Sequence, residues 1–568
     1  MLRKIKNLLC GGKKEPAQEK AFVYNTEGLK LLGSQLPQKT KPGRVRVFLR
    51  DVFNDFIIVL TLFASAGFLI ESYIAKPYPF AAWLAFIPFA FGVLNIKSAG
   101  RSFFYGVGVG ALTYMGILYW IMPTVYFGTD SKPLAFAAVS GLSVILSLQF
   151  GFFAWCCFYL RKIKSALPLL AACAWAAFEF LHQLLAYFTA AFPWFVLGYT
   201  QYANVNLIQI SSFTGAYGIS FLIALAGFCV AYAACGKMPK TARIAYLALP
   251  LVLLPVCFLA GENIFIKQTK LFEQNQQKFM AALMQPDTHQ FMLEGYEEDV
   301  AYSIYHQSQM LKDKNVKLAL WPESSYPGYF QEGEYYDFMT QLAQTYGAAQ
   351  LTGSAYIKDG REYVSAGLFD ERGLKEVYNK NKLVPFGEFL PLDKYFHSFY
   401  GRLGINAFTG AFEPGKDKGK LFTLNFDDGR GAQSVSLGPT ICFESLFPVL
   451  WRAQARAGAK FFVNISNDGW FLDTAAAEQH LRVNIFRAAE ARLPLLRSTN
   501  TGVSAWISPF GEVKYLSPRD KQDSAVLAFA YNPQAQPTFY SKHGDLFAVI
   551  CLILTLSAWI YAAAFKAD

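Results

Sequence analysis

The stretch Leu437-Gly-Pro-Thr-Ile-Cys-Phe-Glu-Ser445 joins an apolar run to a cysteine, with a glutamate two positions further on. The run is typical of a buried strand, so Cys442 stands where that strand passes into a loop or a helix. Catalytic groups are commonly held at such places. A free cysteine is equally typical of a buried, small apolar position. The stretch therefore predicts a strand that ends at Cys442 and leaves its role, nucleophile or packing residue, open.

This strand is one of several between about residues 262 and 545, a segment with most of the acidic residues. Amphipathic stretches at 295–311, 335–346 and 475–491 predict helices between the strands. Strands that alternate with helices favour a layered α/β domain. The other predicted strands are Phe279–Met284, Val316–Leu320, Gln350–Ile357 and Phe461–Ile465.

Two charged residues of this segment also follow apolar stretches. Glu323 comes directly after Leu318-Ala-Leu-Trp-Pro322, where a partly desolvated carboxyl has a raised pKa and can act as a general base. Lys380 lies in an aromatic-rich segment, where an ammonium group can stabilise a tetrahedral oxyanion. The alternatives are a glutamate in a surface loop and an ordinary surface lysine. Lys382 lies in the same segment, so a positive charge alone does not distinguish a catalytic lysine from a surface lysine.

The whole-chain composition is that of a membrane protein. Hydrophobic residues make up 53% of the 568 residues and charged residues 16%, which is less than the roughly 25% of soluble domains. A membrane-spanning helix needs about 20 mostly apolar residues, and eight apolar runs come near this length. They lie at Phe53–Ile70, Phe80–Ile96, Phe103–Val125, Leu134–Leu160, Leu167–Tyr187, Leu207–Cys235, Ile244–Leu259 and Phe547–Ala564.

Positive charge is distributed in a way that predicts orientation. Lysine and arginine follow the second, fourth and sixth runs, whereas the intervening loops carry few of them. By the positive-inside rule both termini are cytoplasmic, and residues 263–544 lie on the outer face, the periplasm of a Gram-negative cell. Residues 1–50 form a basic leader with most of the net charge of +11. Such a leader fits a membrane surface better than nucleic acid, so no nucleic-acid partner is expected.

The remaining ionisable residues indicate no metal site and no cofactor. Cys442 is the only cysteine of the predicted α/β domain, which excludes an intrachain disulfide there. The six histidines lack the spacing of zinc ligands, and we interpret His480 as structural. Glu179 stands in the fifth apolar run, three residues before His182. Either it is functional, or the two form a structural hydrogen bond along the helix.

Taken in order, Trp-Pro-Glu323, Tyr-Asn-Lys380 with Val-Pro-Phe-Gly-Glu388, and Ile-Cys442-Phe-Glu444 resemble the nitrilase superfamily. That resemblance implies an αββα sandwich in which Cys442 is the acylated nucleophile, Glu323 its base and Lys380 the oxyanion partner. It also implies supporting or substrate-binding roles for Glu388, Phe443 and Glu444, although the superfamily usually has tyrosine where Phe443 stands. A second departure lies at Met284–Leu293, where a familiar Gln-Gly motif and its following tryptophan are missing.

Further motifs resemble the apolipoprotein N-acyltransferase branch of that superfamily. They are Leu118–Trp120, Phe192–Tyr199, Asn464–Phe471 and Leu495–Gly502.

The branch implies a seven-span membrane domain at 51–262, a catalytic domain at 263–544, and an eighth span with a short tail at 545–568. It implies a bacterial inner-membrane enzyme that takes an acyl chain from a phospholipid. The acceptor is the diacylglyceryl-cysteine of an apolipoprotein. A membrane-tethered amidase is the alternative, and a scaffold or transporter without catalysis is a weaker one.

Overall fold

The computed structural model describes residues 42–564 except 75–77, 237, 289–296, 327, 332, 403–411 and 430. The basic leader up to residue 41, Cys10 and the end of the predicted C-terminal tail therefore lie outside the described residues. Residues Ile57–Asp568 belong to one compact unit, which contains the α/β part and the apolar helices apart from the beginning of the first one.

Ten helices of the described chain precede the first strand. They are α1 Pro42–Glu71, α2 Ala81–Asn95, α3 Ala99–Ile117, α4 Ile121–Thr129, α5 Lys132–Leu160, α6 Leu167–Phe188, α7 Val205–Ile208, α8 Ser211–Thr214, α9 Tyr217–Cys235 and α10 Lys240–Asn275.

Sequence signals explain where these helices begin and bend. Helix α5 begins after Ser131, whose side chain accepts a hydrogen bond from the Leu134 amide, and Pro133 occupies its first turn. Helices α3 and α4 make an angle of 67° at their junction. The apolar runs form helices because a helix satisfies the backbone hydrogen bonds of its own interior, which a membrane requires.

Six helices of the described chain are long and apolar enough to cross a membrane, or seven if the bent pair α3 and α4 counts as one span. The last of the six is α17, Leu546–Ala564, and the shorter apolar helix α2 has 15 residues. Several apolar helices are thus confirmed in the places where the sequence predicts them. Helix α10 continues to Asn275, beyond residue 262, where the sequence predicts the end of the membrane domain.

One expectation in the membrane part is wrong, and one of two alternatives is excluded. The predicted run Leu207–Cys235 is not one helix, because Gly215 adopts φ of 63° and separates α7 and α8 from α9. Of the two alternatives for Glu179, the structure does not show the hydrogen bond with His182, whose Nδ1 atom lies 2.6 Å from the Gln149 side chain. The Glu179 carboxylate accepts hydrogen bonds from the Trp175 indole at 2.9 Å and the Leu197 amide at 2.7 Å. Glu179 therefore fixes the position of the segment around Leu197, which follows α6.

The α/β part contains two six-stranded sheets. Their orders are β12-β1-β2-β3-β4-β5 and β11-β10-β9-β8-β7-β6, and β1–β3 and β7–β9 are parallel. The five predicted strands are confirmed as β1, β2, β3, β7 and β8. The strands are β1 Gln277–Gln285, β2 Val316–Leu320, β3 Ala349–Lys358, β4 Arg361–Asp370, β5 Gly373–Asn379, β6 Phe422–Asp427, β7 Ala432–Ile441, β8 Phe461–Ser466, β9 Leu495–Thr499, β10 Ala505–Ile507, β11 Val513–Leu516 and β12 Asp523–Tyr531.

The two sheets pack against each other, and helices cover their outer faces. The rings of Phe279 in β1 and Phe461 in β8 lie 5.8 Å apart between the sheets. Trp451 packs on Phe462 from outside the second sheet at 4.8 Å. This layered α/β arrangement agrees with the prediction. The helices of this part are α11 Glu297–Ser308, α12 Gly333–Tyr346, α13 Asp393–Arg402, α14 Pro448–Ala457, α15 Ala476–Ala491 and α16 Phe539–His543.

Candidate active site

Cys442 begins a single helical turn directly after β7 and has an unusual backbone conformation. Its φ is 47°, in the left-handed region that residues with a Cβ atom seldom adopt. Its side chain is almost completely buried, with 7% of the residue exposed. Strained conformations of this kind persist where surrounding contacts hold them, and they cluster at functional sites.

Lys380 brings two carboxylates together. Its Nζ atom lies 2.8 Å from Oε1 of Glu323 and 2.6 Å from Oε1 of Glu388, and its side chain is fully buried. Glu323 follows β2 and Lys380 follows β5, two strands that run in the same direction within one sheet. Their carboxyl ends therefore meet at one sheet edge.

Glu323 is fixed at this edge from two further directions. The amide of Asn467 donates to its Oε2 atom at 3.1 Å. The Glu323 backbone packs closely against Gly353 in β3. A Cβ atom at position 353 would lie only 2.7 Å from the Glu323 Cα atom. A side chain at position 353 would thus displace the carboxylate.

The charges of this cluster act on the Cys442 thiol. Burial raises the pKa of Cys442, Glu323 raises it further, and Lys380 lowers it. The thiol is therefore protonated at neutral pH, so any attack by its sulfur would require a base. Although burial lowers the pKa of Lys380, Glu323 and Glu388 raise it well above the usual value, so the ammonium stays charged. Burial raises the pKa of Glu388.

Glu444 faces protein groups. Its carboxylate accepts hydrogen bonds from the Tyr378 hydroxyl at 2.9 Å, the Asn381 amide at 2.6 Å and the Ile441 amide at 2.8 Å. These donors belong to the segments that precede Cys442 and surround Lys380. Glu444 therefore connects the turn at Cys442 with the segment around Lys380, and burial raises the pKa of Glu444 to about 7.

Phe443 lies against residues of the membrane part. Its ring stacks on Phe192 at 5.4 Å, and Phe192 in turn stacks on Trp194 at 5.4 Å. Trp120 packs on Trp194 at 4.6 Å and on Phe471 at 4.6 Å. These five rings, which we call the aromatic seat, connect the residue after the nucleophile with the membrane helices. A phenylalanine serves this stacking as well as a tyrosine does.

The contact of His480 with Cys442 was not predicted from the sequence. Its Nε2 atom lies 3.0 Å from the carbonyl oxygen of Cys442 and 2.6 Å from Oγ of Ser445. Its Nδ1 atom lies 3.0 Å from a carboxylate oxygen of Asp468, which also pairs with Arg497 at 2.7 Å. The segment that carries Asp468 is one of the motifs that resemble the branch, whereas no sequence signal places His480 beside Cys442.

The sulfur of Cys442 and ligand atoms of Asp468 and His480 lie within 4.8 Å of one another, as metal ligands do. However, the Arg497 guanidinium contacts Asp468 and lies 3.1 Å from Nδ1 of His480. Although burial raises the pKa of Asp468, Arg497 and His480 lower it to about 2. A fixed cation already uses these atoms, so the group fits a hydrogen-bonded support better than a metal centre.

Gln479, the residue before His480, connects helix α15 with the membrane part. Its Oε1 atom accepts hydrogen bonds from the indoles of Trp120 at 3.1 Å and Trp194 at 2.6 Å. Its Nε2 atom donates to the carbonyl oxygens of Tyr73 at 3.1 Å and Ile117 at 3.2 Å. All four hydrogen bonds of this buried amide thus go to segments near the apolar helices.

Comparison with known proteins agrees with both parts of the chain. Residues 65–229 match the family described as the apolipoprotein N-acyltransferase N-terminal domain, and residues 266–528 match the carbon-nitrogen hydrolase family. Among solved structures, Nit3 of Saccharomyces cerevisiae, a nitrilase superfamily member, is 17% identical, with a TM-score of 0.34, over 46% of this chain and 92% of that chain.

Relatives extend over most of the chain. The apolipoprotein N-acyltransferase of Geobacter metallireducens is 33% identical over 490 residues, which cover 83% of this chain and 88% of that protein. Apolipoprotein N-acyltransferase 1 of Treponema denticola is 28% identical over 84% of this chain and 90% of that protein. The chain belongs to the apolipoprotein N-acyltransferase family.

Proposed function

We propose that this protein transfers a fatty acyl chain from a membrane phospholipid to the α-amine of the diacylglyceryl-cysteine of an apolipoprotein, through a thioester on Cys442. The observation that carries the proposal is the buried Glu323–Lys380–Glu388 cluster beside a strained cysteine. That cysteine is followed by a ring of the aromatic seat, which reaches into the membrane part. A nucleophile in this position meets acyl chains that come from the bilayer.

In the first half-reaction, Glu323 takes the proton of the thiol as the sulfur attacks the ester carbonyl of the phospholipid. The Lys380 ammonium stabilises the negative oxygen of the tetrahedral intermediate, a contribution worth about 3 kcal/mol for one donor. The carbon–oxygen bond then breaks, and the lysophospholipid oxygen leaves with the proton that Glu323 held. The thioester remains on Cys442.

In the second half-reaction, the acceptor amine attacks the thioester carbonyl. Glu323 takes a proton from the attacking nitrogen, the carbon–sulfur bond breaks, and the thiolate recovers that proton. Because the donor leaves before the acceptor reacts, the kinetics are ping-pong. Glu388 and Glu444 hold Lys380 and the cysteine turn, and Phe443 lines the acyl chain. No metal or other cofactor enters this scheme.

The arrangement in the membrane follows from the same proposal. Eight spans would place both termini in the cytoplasm, with the bent pair α3 and α4 and the short helix α2 each counted as one span. The membrane domain would extend over residues 51–262 and the eighth span with its tail over 545–568. Residues 263–544 would form the catalytic domain on the periplasmic face of the bacterial inner membrane. The basic leader would lie on the cytoplasmic side, near anionic lipid.

The test is acylation in the absence of acceptor. The purified protein is incubated in detergent with phospholipid alone, and peptides that contain Cys442 are analysed by mass spectrometry. We expect an acyl mass that hydroxylamine removes and that is absent from Cys442→Ser and Glu323→Gln. Gln331→Ala, a change outside the cluster, serves as the control. If the folded protein forms no adduct with phospholipid but hydrolyses a soluble amide, the tethered amidase replaces this proposal.

A further inference from the structure

Two lysine side chains lie over one tyrosine ring near the active site. The Nζ atoms of Lys382 and Lys418 are 3.7 Å and 4.6 Å from the centre of the Tyr187 ring. Lys382 also lies 5.7 Å from the centre of the Phe447 ring. We call Lys382, Lys418 and Tyr187 the two-lysine site. The ring accounts for part of the attraction, since an ammonium group over an aromatic face is stabilised.

Neither of these two positive charges is paired directly with a carboxylate. In the described part of the chain, neither lysine has a carboxylate oxygen within 4.0 Å, although several other cations here do, and Glu444 favours the Lys382 ammonium only from a greater distance. Burial, followed by the nearby charge of Lys418, lowers the pKa of Lys382 to about 8. Two like charges at such a place repel each other, and an anion between them would remove the repulsion.

Part of the arrangement has a structural explanation. Helix α6 ends at Phe188, and the Lys382 ammonium donates a hydrogen bond to the Tyr187 carbonyl oxygen at that end. A cation is favourable at the carboxyl end of a helix. This bond uses one of the three ammonium hydrogens of Lys382. It leaves Lys418 unexplained, because a single helix end does not need two cations.

The position of the site indicates which anion it meets. Tyr187 is the penultimate residue of an apolar helix whose neighbouring side chains Leu184, Leu185 and Phe188 are exposed. The end of such a helix lies at the level of the lipid head groups. On the other side, Phe447 lies 6.4 Å from Tyr187 and 5.4 Å from Phe443, the residue after Cys442. The site thus lies between the membrane surface and the nucleophile.

We propose that Lys382 and Lys418 bind the phosphodiester of the donor phospholipid and so place its ester carbonyl at Cys442. This proposal rests on the proposed function. The acceptor that we propose carries a diacylglyceryl group without a phosphate, so the two-lysine site distinguishes donor from acceptor. Charge-assisted hydrogen bonds to a phosphate are the contacts that lysine side chains form with such a group.

The first experiment measures donor capture. The wild-type protein and the variants Lys382→Gln, Lys418→Gln and the double variant are incubated with increasing phospholipid in mixed micelles, and Cys442 acylation is followed by mass spectrometry. We expect the double variant to need about tenfold more phospholipid for half-maximal acylation, with the maximal rate unchanged. Lys416→Gln, which changes an exposed lysine of the same segment, should leave both quantities unchanged.

Two comparison substrates identify the phosphate. Diacylglycerol offers the same acyl chains without a phosphate, and p-nitrophenyl butyrate offers an activated ester without either feature. Both should react equally with the wild-type protein and the double variant. If the variants impair these substrates as much as phospholipid, or impair only the acceptor step, the proposal is wrong.

A binding measurement separates this proposal from the proposed function. Dihexanoylphosphatidylethanolamine is titrated calorimetrically into the Cys442→Ser protein with and without the two lysine substitutions. Weaker binding by about tenfold supports the site even if no thioester forms in the wild-type protein. Equal binding by both proteins overturns it, as does inorganic phosphate that binds as tightly as the lipid, since the site would then serve a free anion.

Discussion

The Nε2 atom of His480 lies 3.0 Å from the carbonyl oxygen of Cys442, and its Nδ1 atom lies 3.0 Å from a carboxylate oxygen of Asp468. Both oxygens only accept hydrogen bonds, so a ring nitrogen bonds to either of them only when it carries a hydrogen. Burial lowers the pKa of His480, and the charge of Arg497 lowers it further, so the ring is neutral at neutral pH. A neutral ring carries one hydrogen, so it donates to one of these two oxygens, and Arg497 lies 3.1 Å from Nδ1. The ring thus contacts the backbone of the strained cysteine on one side and the Asp468–Arg497 pair on the other.

Replacement of His480 by leucine should slow thioester formation without weakening donor binding. Loss of the hydrogen bond lets the Cys442 carbonyl and turn relax, and small displacements of a reacting group cost about 10–100-fold in rate. The maximal acylation rate should fall by that factor at an unchanged half-saturating phospholipid concentration. His480→Gln, whose amide can still donate, should recover much of the rate. A wild-type rate in a folded His480→Leu protein would contradict this role.

Gln479→Leu should loosen the connection between the α/β part and the membrane part. The substitution leaves two indole hydrogens and two carbonyl oxygens without their partner, and each buried polar group so left costs about 1–3 kcal/mol. We expect a lower apparent melting temperature in detergent and faster cleavage by protease between the two parts. The matched control is Gln522→Leu, a substitution at an exposed glutamine of the same domain. If both variants melt like the wild-type protein, the four bonds contribute little.

Lys382→Met should change how stability depends on pH. The pKa of Lys382 is lowered from its ordinary 10.5 to about 8, mainly by burial and also by Lys418, while Glu444 opposes the shift. Between about pH 8 and 10.5 the unfolded chain therefore binds more protons at this lysine than the folded chain, so its contribution to stability rises with pH. The apparent melting temperature of the wild-type protein should gain about 2–4 °C on the variant over this interval.

The comparison is made in phospholipid-free detergent, because bound phosphate would raise the pKa of Lys382 again. Lys416→Met provides the control for loss of one lysine. Parallel profiles of the wild-type protein and Lys382→Met would show that Lys382 has an ordinary pKa.

Glu444→Gln should destabilise the protein more than it changes donor binding. The Glu444 carboxyl accepts hydrogen bonds from three buried donors, and a glutamine amide presents one oxygen to donors that surround two. Breaking a buried charged network of this kind costs about 2–4 kcal/mol. The apparent melting temperature measures the loss, with the exposed Glu334→Gln as reference. A melting temperature equal to that of the reference would exclude a structural role for Glu444.

The chemistry-bearing strand ends could be predicted because each leaves a local trace. An apolar run that stops at a charged residue or a cysteine, as at Glu323 and Cys442, indicates a buried strand that leaves the core within a few positions. The apolar helices leave an even longer trace. That Glu323 and Lys380 act together is implied only by the family resemblance, since residues 57 positions apart reveal no distance by themselves. The ion pair of Lys380 with Glu388 comes from the structure.

The rest depends on packing between distant segments. His480 does not precede a strand, and it contacts Cys442 only because helix α15 crosses the end of β7. The break before α9 occurs at Gly215, and glycine is also common within membrane helices, so the residue type alone does not predict the break. The two-lysine site joins a membrane helix to loops more than 190 residues later. Contacts between such distant segments cannot be predicted from the periodicity of the sequence.

Gln479 and His480 are consecutive residues, yet one side chain is held by the membrane helices and the other holds the nucleophile. One peptide link therefore joins a contact of the membrane helices to a contact of the cysteine turn, beside the aromatic seat that connects the same two regions. We expect a tilt of these helices in a thicker or thinner membrane to displace the backbone of Cys442. The rate at which iodoacetamide alkylates Cys442 should then differ between bilayers of different thickness, even when no substrate is present.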